Sequence, residues 1–150
     1  MVRYGPEVLA RIAALSEADP ARETCGFVVR RGPDGPLAVV AVPNAADRFH
    51  AADPVAHPRT ARDGFVMDPR AQLRALAEVD ASGGEVVAVW HSHVEAGAHL
   101  SARDRADAVV DGVPQVPRAE YLVVGLRGGR AVELRRYRLA GAGFVEDAVA

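Results

Sequence analysis

The sequence predicts an α/β domain built on a mixed β-sheet with helices on both of its faces. Segments with helical periodicity alternate along the chain with short β-branched runs, which is typical of α/β proteins. Two pairs of such runs are each joined by a glycine-containing turn, which predicts antiparallel hairpins and therefore a sheet that is not purely parallel. The length of 150 residues and the hydrophobic content of 49% fit a single domain with one core.

The first part of the chain predicts a helix, a hairpin and a long loop. Apolar residues recur at helical spacing over residues 6–15, and Pro20 follows the pattern. The β-branched runs in residues 24–31 and 36–44 flank the turn sequence GPDG and predict the first hairpin. Residues 44–63 contain few large apolar groups and two prolines. We expect a long irregular segment there, of a kind that often carries function.

The rest of the chain predicts further helices and strands. Residues 64–68 predict a strand, and residues 69–84 predict a helix with proline in its first turn and glycines after its end. Residues 85–93 form an apolar run typical of a buried strand, and residues 101–112 predict a third helix. Residues 120–140 predict two strands around the turn sequence RGGR, the second hairpin.

The charge balance argues against nucleic acid and membrane partners, which select for a clustered basic excess. The formal net charge is −2, and no run of eighteen apolar residues or signal-type segment is present. We therefore expect a cytoplasmic protein whose partners are proteins or small molecules. The single cysteine agrees with a reducing compartment. All eighteen basic residues are arginine. A GC-rich genome is the simpler explanation, and escape from a lysine-modifying system is the alternative.

Two histidines at the end of a predicted strand, and a serine and an aspartate after it, are the strongest functional signal. His91 and His93 are two residues apart, so their side chains project from the same face of the strand. Ser101 and Asp104 follow where the next helix is expected to begin. A catalytic zinc site needs three nitrogen or oxygen ligands and one open position, and two histidines with an aspartate supply the three. Solvated histidines and an ordinary helix cap are the simpler explanations.

A hydrolytic zinc site also needs a general base that does not itself occupy the metal. Glu23, at the start of the run RETCGFVV, is the candidate. The chain therefore contains Glu-x-Cys-Gly and, further on, His-x-His, seven residues, Ser, two residues and Asp. This pattern resembles the motif of the JAMM (JAB/MPN/Mov34) metalloprotease family. The resemblance covers Glu23 to Asp104, and the order of elements extends it over residues 5–140.

The resemblance implies a fold, a cofactor and a role for each motif residue. Family members have a mixed sheet with helices on two faces, related to the cytidine deaminase fold, and bind one catalytic zinc ion. His91, His93 and Asp104 are implied as the zinc ligands. Glu23 is implied as the base that holds the water, and Ser101 as a hydrogen-bond donor to the oxyanion.

The resemblance also implies a substrate class. Family enzymes cleave isopeptide or peptide bonds next to the C-terminal tail of ubiquitin or ubiquitin-like proteins, and compact bacterial relatives process small sulfur-carrier proteins. We therefore expect a zinc isopeptidase or peptidase acting on such a tail. An extended Gly-Gly tail is commonly bound by addition to a sheet edge, and residues 44–66 could wall the groove.

Two departures from the family pattern leave the proposed ligands intact. Bacterial relatives often carry proline directly after the second histidine and before the serine, where this chain has Val94 and Leu100. Only sixteen residues separate Asp104 from Tyr121, so the insertion that eukaryotic deubiquitinases carry there is missing. We do not expect ubiquitin recognition of that eukaryotic kind.

Two other functions compete with the hydrolase. A non-catalytic MPN-type protein-binding module would use the same sheet, and its sign would be loss of the base or of a ligand, neither of which has occurred. A zinc deaminase on the related fold requires a Pro-Cys-x-x-Cys segment. The single cysteine excludes it.

Several other polar or aromatic residues have simpler explanations. His50, His57 and His99 are expected to be loop histidines, with substrate contact as the alternative for the first two and a fourth ligand position for the last. Cys25 and Trp90 are expected in the core, with Trp90 pointing away from the metal face. The segment RRYR at residues 135–138 is expected to be a solvated strand.

Overall fold

The computed structural model describes residues 2–149, which contain four helices and eight strands. The helices are α1 (Pro6–Glu17), α2 (Ala46–Ala52), α3 (Pro69–Ala81) and α4 (Ala102–Ala108). The strands are β1 (Cys25–Arg30), β2 (Leu37–Val42), β3 (Glu85–His93), β4 (Val109–Val110), β5 (Val113–Pro114), β6 (Glu120–Arg127), β7 (Arg130–Ala140) and β8 (Gly143–Asp147). None of the described helices is long and apolar enough to cross a membrane.

Six of these strands form one mixed sheet in the order β2-β1-β3-β6-β7-β8. The pair β3–β6 is parallel, and the other neighbouring pairs are antiparallel. A parallel pair cannot be joined by a tight turn, so the chain leaves the sheet after β3 and returns to it at β6. α4 and the short β4–β5 hairpin occupy this crossover. The predicted mixed sheet is confirmed.

Helices cover both faces of the sheet, as predicted. α1 packs on one face, where Ile12 and Trp90 belong to one buried cluster. α3 and α4 pack on the other face, where Val79 and Ala108 join a second cluster with Phe27. Because side chains alternate along a strand, Trp90 faces α1 while its neighbour on β3 faces the other side. The prediction that Trp90 is a core residue is confirmed.

Cys25 is also a core residue, as predicted, and lies in the cluster on the α3 and α4 face. Its Sγ donates a weak hydrogen bond to the Val42 carbonyl at 3.3 Å. Burial, and to a lesser extent the charge of Glu23, raises the pKa of the Cys25 thiol to about 12. A thiol with this pKa is not a nucleophile at neutral pH.

The path of the chain between β2 and α3 differs from the prediction. The short helix α2 lies inside the segment predicted to be irregular. Residues 64–68 do not form a strand, and only a single bridge joins Asn44 to Met67. The reason is that the Asn44 side chain takes up backbone groups there, since its Nδ2 donates to the Gly64 carbonyl and its Oδ1 accepts from the Val66 amide. Two backbone hydrogen bonds, from Ala45 to the Val66 carbonyl and from Asp68 to the Pro43 carbonyl, also hold the segment, but they do not continue into a strand ladder.

The ends of two other predicted elements also differ. α4 stops at Ala108, because the β-branched pair Val109–Val110 turns through Asp111 and Gly112 into the β4–β5 hairpin. Both turn residues have positive φ, 51° and 75°, which an Asp-Gly turn accommodates. β8 was not predicted, and it adds an edge strand beyond the second hairpin.

The prediction that the segment RRYR is solvated holds only in part, because Arg138 is exposed but Arg136 is buried. Its guanidinium pairs with the Glu120 carboxylate, with 2.6 Å between Nη2 and Oε1, and lies 5.3 Å from the ring centre of Tyr4. The Tyr4 hydroxyl donates to the other oxygen of Glu120 at 3.1 Å. A buried charge is tolerated only when it is paired in this way.

Candidate metal centre

The four candidate metal and base residues come from three separate parts of the chain. His91 and His93 lie at the C-terminal end of β3, and Asp104 lies in the first turn of α4. Glu23 lies just before β1, which is the antiparallel neighbour of β3. Two hydrogen bonds align the two strand ends, from the Ser92 amide to the Thr24 carbonyl and from the Thr24 amide to Ser92 Oγ, both 2.9 Å.

The side chains of these residues converge on one point. The Nε2 atoms of His91 and His93 are 3.1 Å apart, and Asp104 Oδ2 lies 3.1 Å and 3.3 Å from them. A carboxylate oxygen of Glu23 and a nitrogen of each ring all lie within 4.8 Å of one another. Glu23 and both histidines are buried, although carboxylates and imidazoles are usually exposed. The structure therefore brings together every residue of the predicted metal and base set.

The donor atoms fit a zinc ion. Three atoms separated by 3.1–3.3 Å occupy corners of a tetrahedron whose centre is about 2 Å from each of them, the length of a zinc bond to nitrogen or oxygen. When the proton of each ring is on Nδ1, both Nε2 atoms and Asp104 Oδ2 are electron-pair donors, and a cation between them would satisfy all three. His93 Nδ1 lies 2.8 Å from the Gly97 carbonyl, which can only accept, so the ring proton is on Nδ1 and Nε2 is free.

The electrostatics of the metal-free site follow from burial and from these contacts. Burial alone raises the pKa of Asp104, but the contacts with His91 and His93, when these rings carry a proton on Nε2, outweigh it and hold that pKa well below its usual range. Burial alone lowers the pKa of His93, and the Asp104 and Gly97 contacts raise it above its usual value. Burial raises the pKa of Glu23 from 4.5 to about 8, and the attraction of His93 opposes this only in part. A cation at the convergence point favours the ionised form of Glu23 and lowers that pKa.

Ser101 and Asp104 form a helix cap and contribute to the site at the same time. Ser101 Oγ accepts from the Asp104 amide, and Asp104 Oδ2 accepts from the Ser101 amide, both at 3.0 Å. This is a capping box. The same Oδ2 atom faces the two histidines. The pair therefore is a helix cap, and the capping interaction orients the Asp104 carboxylate toward the rings of His91 and His93.

The remaining histidines lie outside the cluster. His99 is exposed, as predicted for a loop residue, with its ring centre 5.5 Å from that of His93. His50 lies in α2, and its Nδ1 contacts the His57 carbonyl at 2.8 Å. His57 is partly buried, and it lies 5.1 Å from the ring of Phe49 and lines a cavity beside the site.

An open cavity of about 320 Å³ adjoins the cluster on the side of His91 and Asp104. Its walls are mainly apolar and include Phe27, Phe65, Met67, Leu100 and Tyr121. Sequence reasoning missed Phe65, whose ring stacks on the His91 ring with centres 4.6 Å apart. No local signal identifies it, because residues 64–68 have the pattern of a strand.

Asn44 is a second residue that sequence reasoning missed. Its Nδ2 donates to the Glu23 carbonyl at 2.8 Å and to the Gly64 carbonyl at 3.0 Å. Its Oδ1 accepts from the amides of Ala46 and Val66. One amide side chain thus connects the segment that carries Glu23, just before β1, to the wall of the cavity. A lone asparagine after a strand gives no sequence signal of such a role.

The chain belongs to the family of prokaryotic homologs of the JAB domain (Prok-JAB), whose family model matches residues 5–140. The solution structure of protein DSY2949 from Desulfitobacterium hafniense superposes with a TM-score of 0.68 at 21% identity, over 98% of this chain and 90% of that one. The solution structure of a protein from Salinibacter ruber gives 0.61 at 22% identity, over 99% and 90%. At these identities the likeness shows the fold. No match is found among curated proteins.

Proposed function

We propose that this protein is a zinc-dependent isopeptidase or peptidase that cleaves at the C-terminal tail of a small ubiquitin-like or sulfur-carrier protein. The observation that carries the proposal is the convergence of His91 Nε2, His93 Nε2 and Asp104 Oδ2 within 3.3 Å of one another, with the buried Glu23 close by. Membership of the Prok-JAB family supports it. The proposed ligands are the two histidines and the aspartate.

Bound zinc would supply a Lewis acid, which polarises a carbonyl and lowers the pKa of a water molecule from about 15.7 toward about 7. In this proposal Glu23 accepts the proton of that water and later delivers it to the leaving amine. Burial raises the pKa of this carboxyl and a bound cation would lower it, and these opposing effects suit a group that must first accept a proton and then release it. Glu23 stays out of the ligand set.

Ser101 is the proposed donor to the scissile carbonyl oxygen as that oxygen gains negative charge. Its Oγ accepts a hydrogen bond from the Asp104 amide, so the hydroxyl hydrogen remains available for an acceptor on the substrate. The capping interaction also holds the hydroxyl next to the Asp104 backbone. A donor that is already oriented stabilises a developing oxyanion without reorganisation in the transition state.

Two features of the site support an extended tail as substrate. β2 lies at one edge of the sheet, and Val42 at its end is paired with Cys25, two residues from Glu23. An extended chain added to this edge would run toward the site by backbone pairing. Residues 64–66 line the open cavities beside His91 and Asp104 and would form one wall. The cytoplasm is the proposed compartment.

The test is mass spectrometry of small β-grasp carrier proteins ending in Gly-Gly, each extended by one residue or linked to a lysine. We expect the zinc-loaded protein to release the extension. Glu23→Gln should abolish release while the protein still binds zinc, and His93→Ala should lose both. Glu78→Gln, the same change at an exposed position of α3, is the matched control and should behave as the parent. A Glu23→Gln variant that still cleaves would refute the assignment of the base.

A further inference from the structure

The loop of residues 94–100, between β3 and α4, determines how the His93 ring is presented. The Gly97 carbonyl accepts the Nδ1 hydrogen of His93 at 2.8 Å. This contact sets both the tautomer and the rotation of the ring, and so aims Nε2 at Asp104 and His91. The orientation of the ring is therefore as well defined as the position of the loop.

Glu95 restrains the start of the loop, because its Oε1 accepts from the Gly128 amide at 2.7 Å, but little in the loop's own sequence restrains the stretch around Gly97. Val94 and Leu100 stand where proline would limit the backbone, Gly97 has no side chain, and Glu95 has a positive φ of 51°. The restraint comes from β7, two strands away from β3. Glu133 Oε2 accepts from the Ala98 amide at 2.9 Å, and the Tyr137 hydroxyl donates to the Ala98 carbonyl, also at 2.9 Å.

The strand register explains how β7 reaches the loop. His93 is paired with Gly125 on β6, and Gly125 is paired with Glu133 on β7. A Cβ at Gly125 would lie 2.7 Å from the Ala96 carbonyl oxygen and 3.1 Å from the Ala98 nitrogen. The loop therefore lies directly on the backbone of β6, between the side chains of His93 and Glu133. Only glycine at position 125 leaves room for it.

The Glu133 carboxylate is a strong hydrogen-bond acceptor for the Ala98 amide. Arg135 forms an ion pair with its carboxylate. The hydrogen bond from Ala98, together with Arg135, holds the pKa of Glu133 below its usual value. The carboxylate is thus ionised at neutral pH, and hydrogen bonds to an ionised acceptor are about twice as strong as neutral ones.

We propose that Glu133 and Tyr137 are positioning residues of the metal centre, which act by holding Ala98 so that Gly97 orients the His93 imidazole. The inference rests on the proposed zinc site and adds to it. These two side chains replace, from a distant strand, the rigidity that prolines would give to the loop. Neither residue is proposed to touch the metal or the substrate.

The test is zinc affinity, measured by competition with a chromophoric chelator, on the parent protein and four variants. Glu133→Ala and Tyr137→Phe should each bind zinc more weakly, by up to about 10–100-fold, the loss that follows removal of a direct outer partner of a metal-binding histidine. Glu133→Gln retains an oxygen that can accept from Ala98, so its affinity should stay within about fivefold of the parent. Glu146→Ala removes the other carboxylate paired with Arg135, on β8, and is the matched control.

Cobalt absorption reports the geometry of the metal ligands, and urea unfolding reports the stability of the fold. The Co²⁺ ligand-field bands should shift in Glu133→Ala and Tyr137→Phe and stay unchanged in Glu146→Ala, because only the first two disturb the ligand geometry. Urea unfolding of the metal-free proteins separates weak binding from loss of fold. If Glu133→Ala does not fold, Tyr137→Phe and Glu133→Gln still test the inference, because both preserve packing.

Equal zinc affinity in the parent, Glu133→Ala and Tyr137→Phe would overturn this inference and leave the proposed function standing. An equal loss in Glu133→Gln and Glu133→Ala would also overturn it. A parent that binds no zinc would overturn the proposed function as well.

Discussion

The buried carboxyl of Glu23 makes the stability of the metal-free protein depend on pH in a way that one substitution removes. Burial raises its pKa in the folded protein from 4.5 to about 8. As pH rises through this window, the unfolded chain loses the proton while the folded protein keeps it. Folding stability attributable to Glu23 is therefore highest below about pH 4.5, falls up to about pH 8, and then levels off. A shift of this size corresponds to about 3–5 kcal/mol.

Glu23→Gln keeps the shape of the side chain and cannot ionise. In urea unfolding with a chelator present, we expect its stability relative to the parent to increase by about 3–5 kcal/mol between pH 5 and pH 9. His93 is present in both proteins, but the charge of Glu23 raises the pKa of His93, so part of the measured difference reports the interaction between the two groups. Glu78→Gln is the control and should follow the parent at every pH. Parallel curves for the parent and Glu23→Gln would refute the idea that this carboxyl is destabilised by burial.

Three further changes separate the roles of residues around the site. Ser101→Ala should slow turnover by about 10²–10³-fold through loss of the oxyanion donor, and should destabilise the fold by about 1 kcal/mol through loss of the cap; steady-state kinetics and urea unfolding measure the two effects. Asn44→Ala removes the side-chain partner of four backbone groups and should cost at least about 1–3 kcal/mol, the cost of one unpaired group, in unfolding experiments, with zinc affinity unchanged in chelator competition. Trp90→Ala should cost about 3–5 kcal/mol in thermal or urea unfolding, yet still bind zinc at low temperature, because Trp90 lies on the opposite face from His91.

Much of the fold was predictable because its signals are local. The helix of residues 6–17 has its apolar stripe, and the hairpins have their turn sequences, so neither depends on distant contacts. The metal and base set was predictable for a related reason. Strand alternation puts His91 and His93 on one face, and the capping pattern puts Asp104 in a first helical turn.

The parts that sequence reasoning missed depend on contacts between distant residues. Residues 64–68 have the apolar pattern of a strand, but the Asn44 side chain takes up the Gly64 carbonyl and the Val66 amide. Arg136 has the appearance of a solvated residue, but Glu120 on the neighbouring strand makes its burial possible. The hydrogen bond between Glu133 and Ala98 joins residues that are 35 positions apart, and no sequence pattern near either residue indicates it.

The most direct test is the zinc content of the purified protein after saturation with zinc and removal of the excess, measured beside Asp104→Ala. The convergence of two imidazoles and this carboxylate predicts one zinc ion per chain in the parent and almost none in the variant. A parent without zinc, or a variant that keeps a full equivalent, would contradict the metal centre described above.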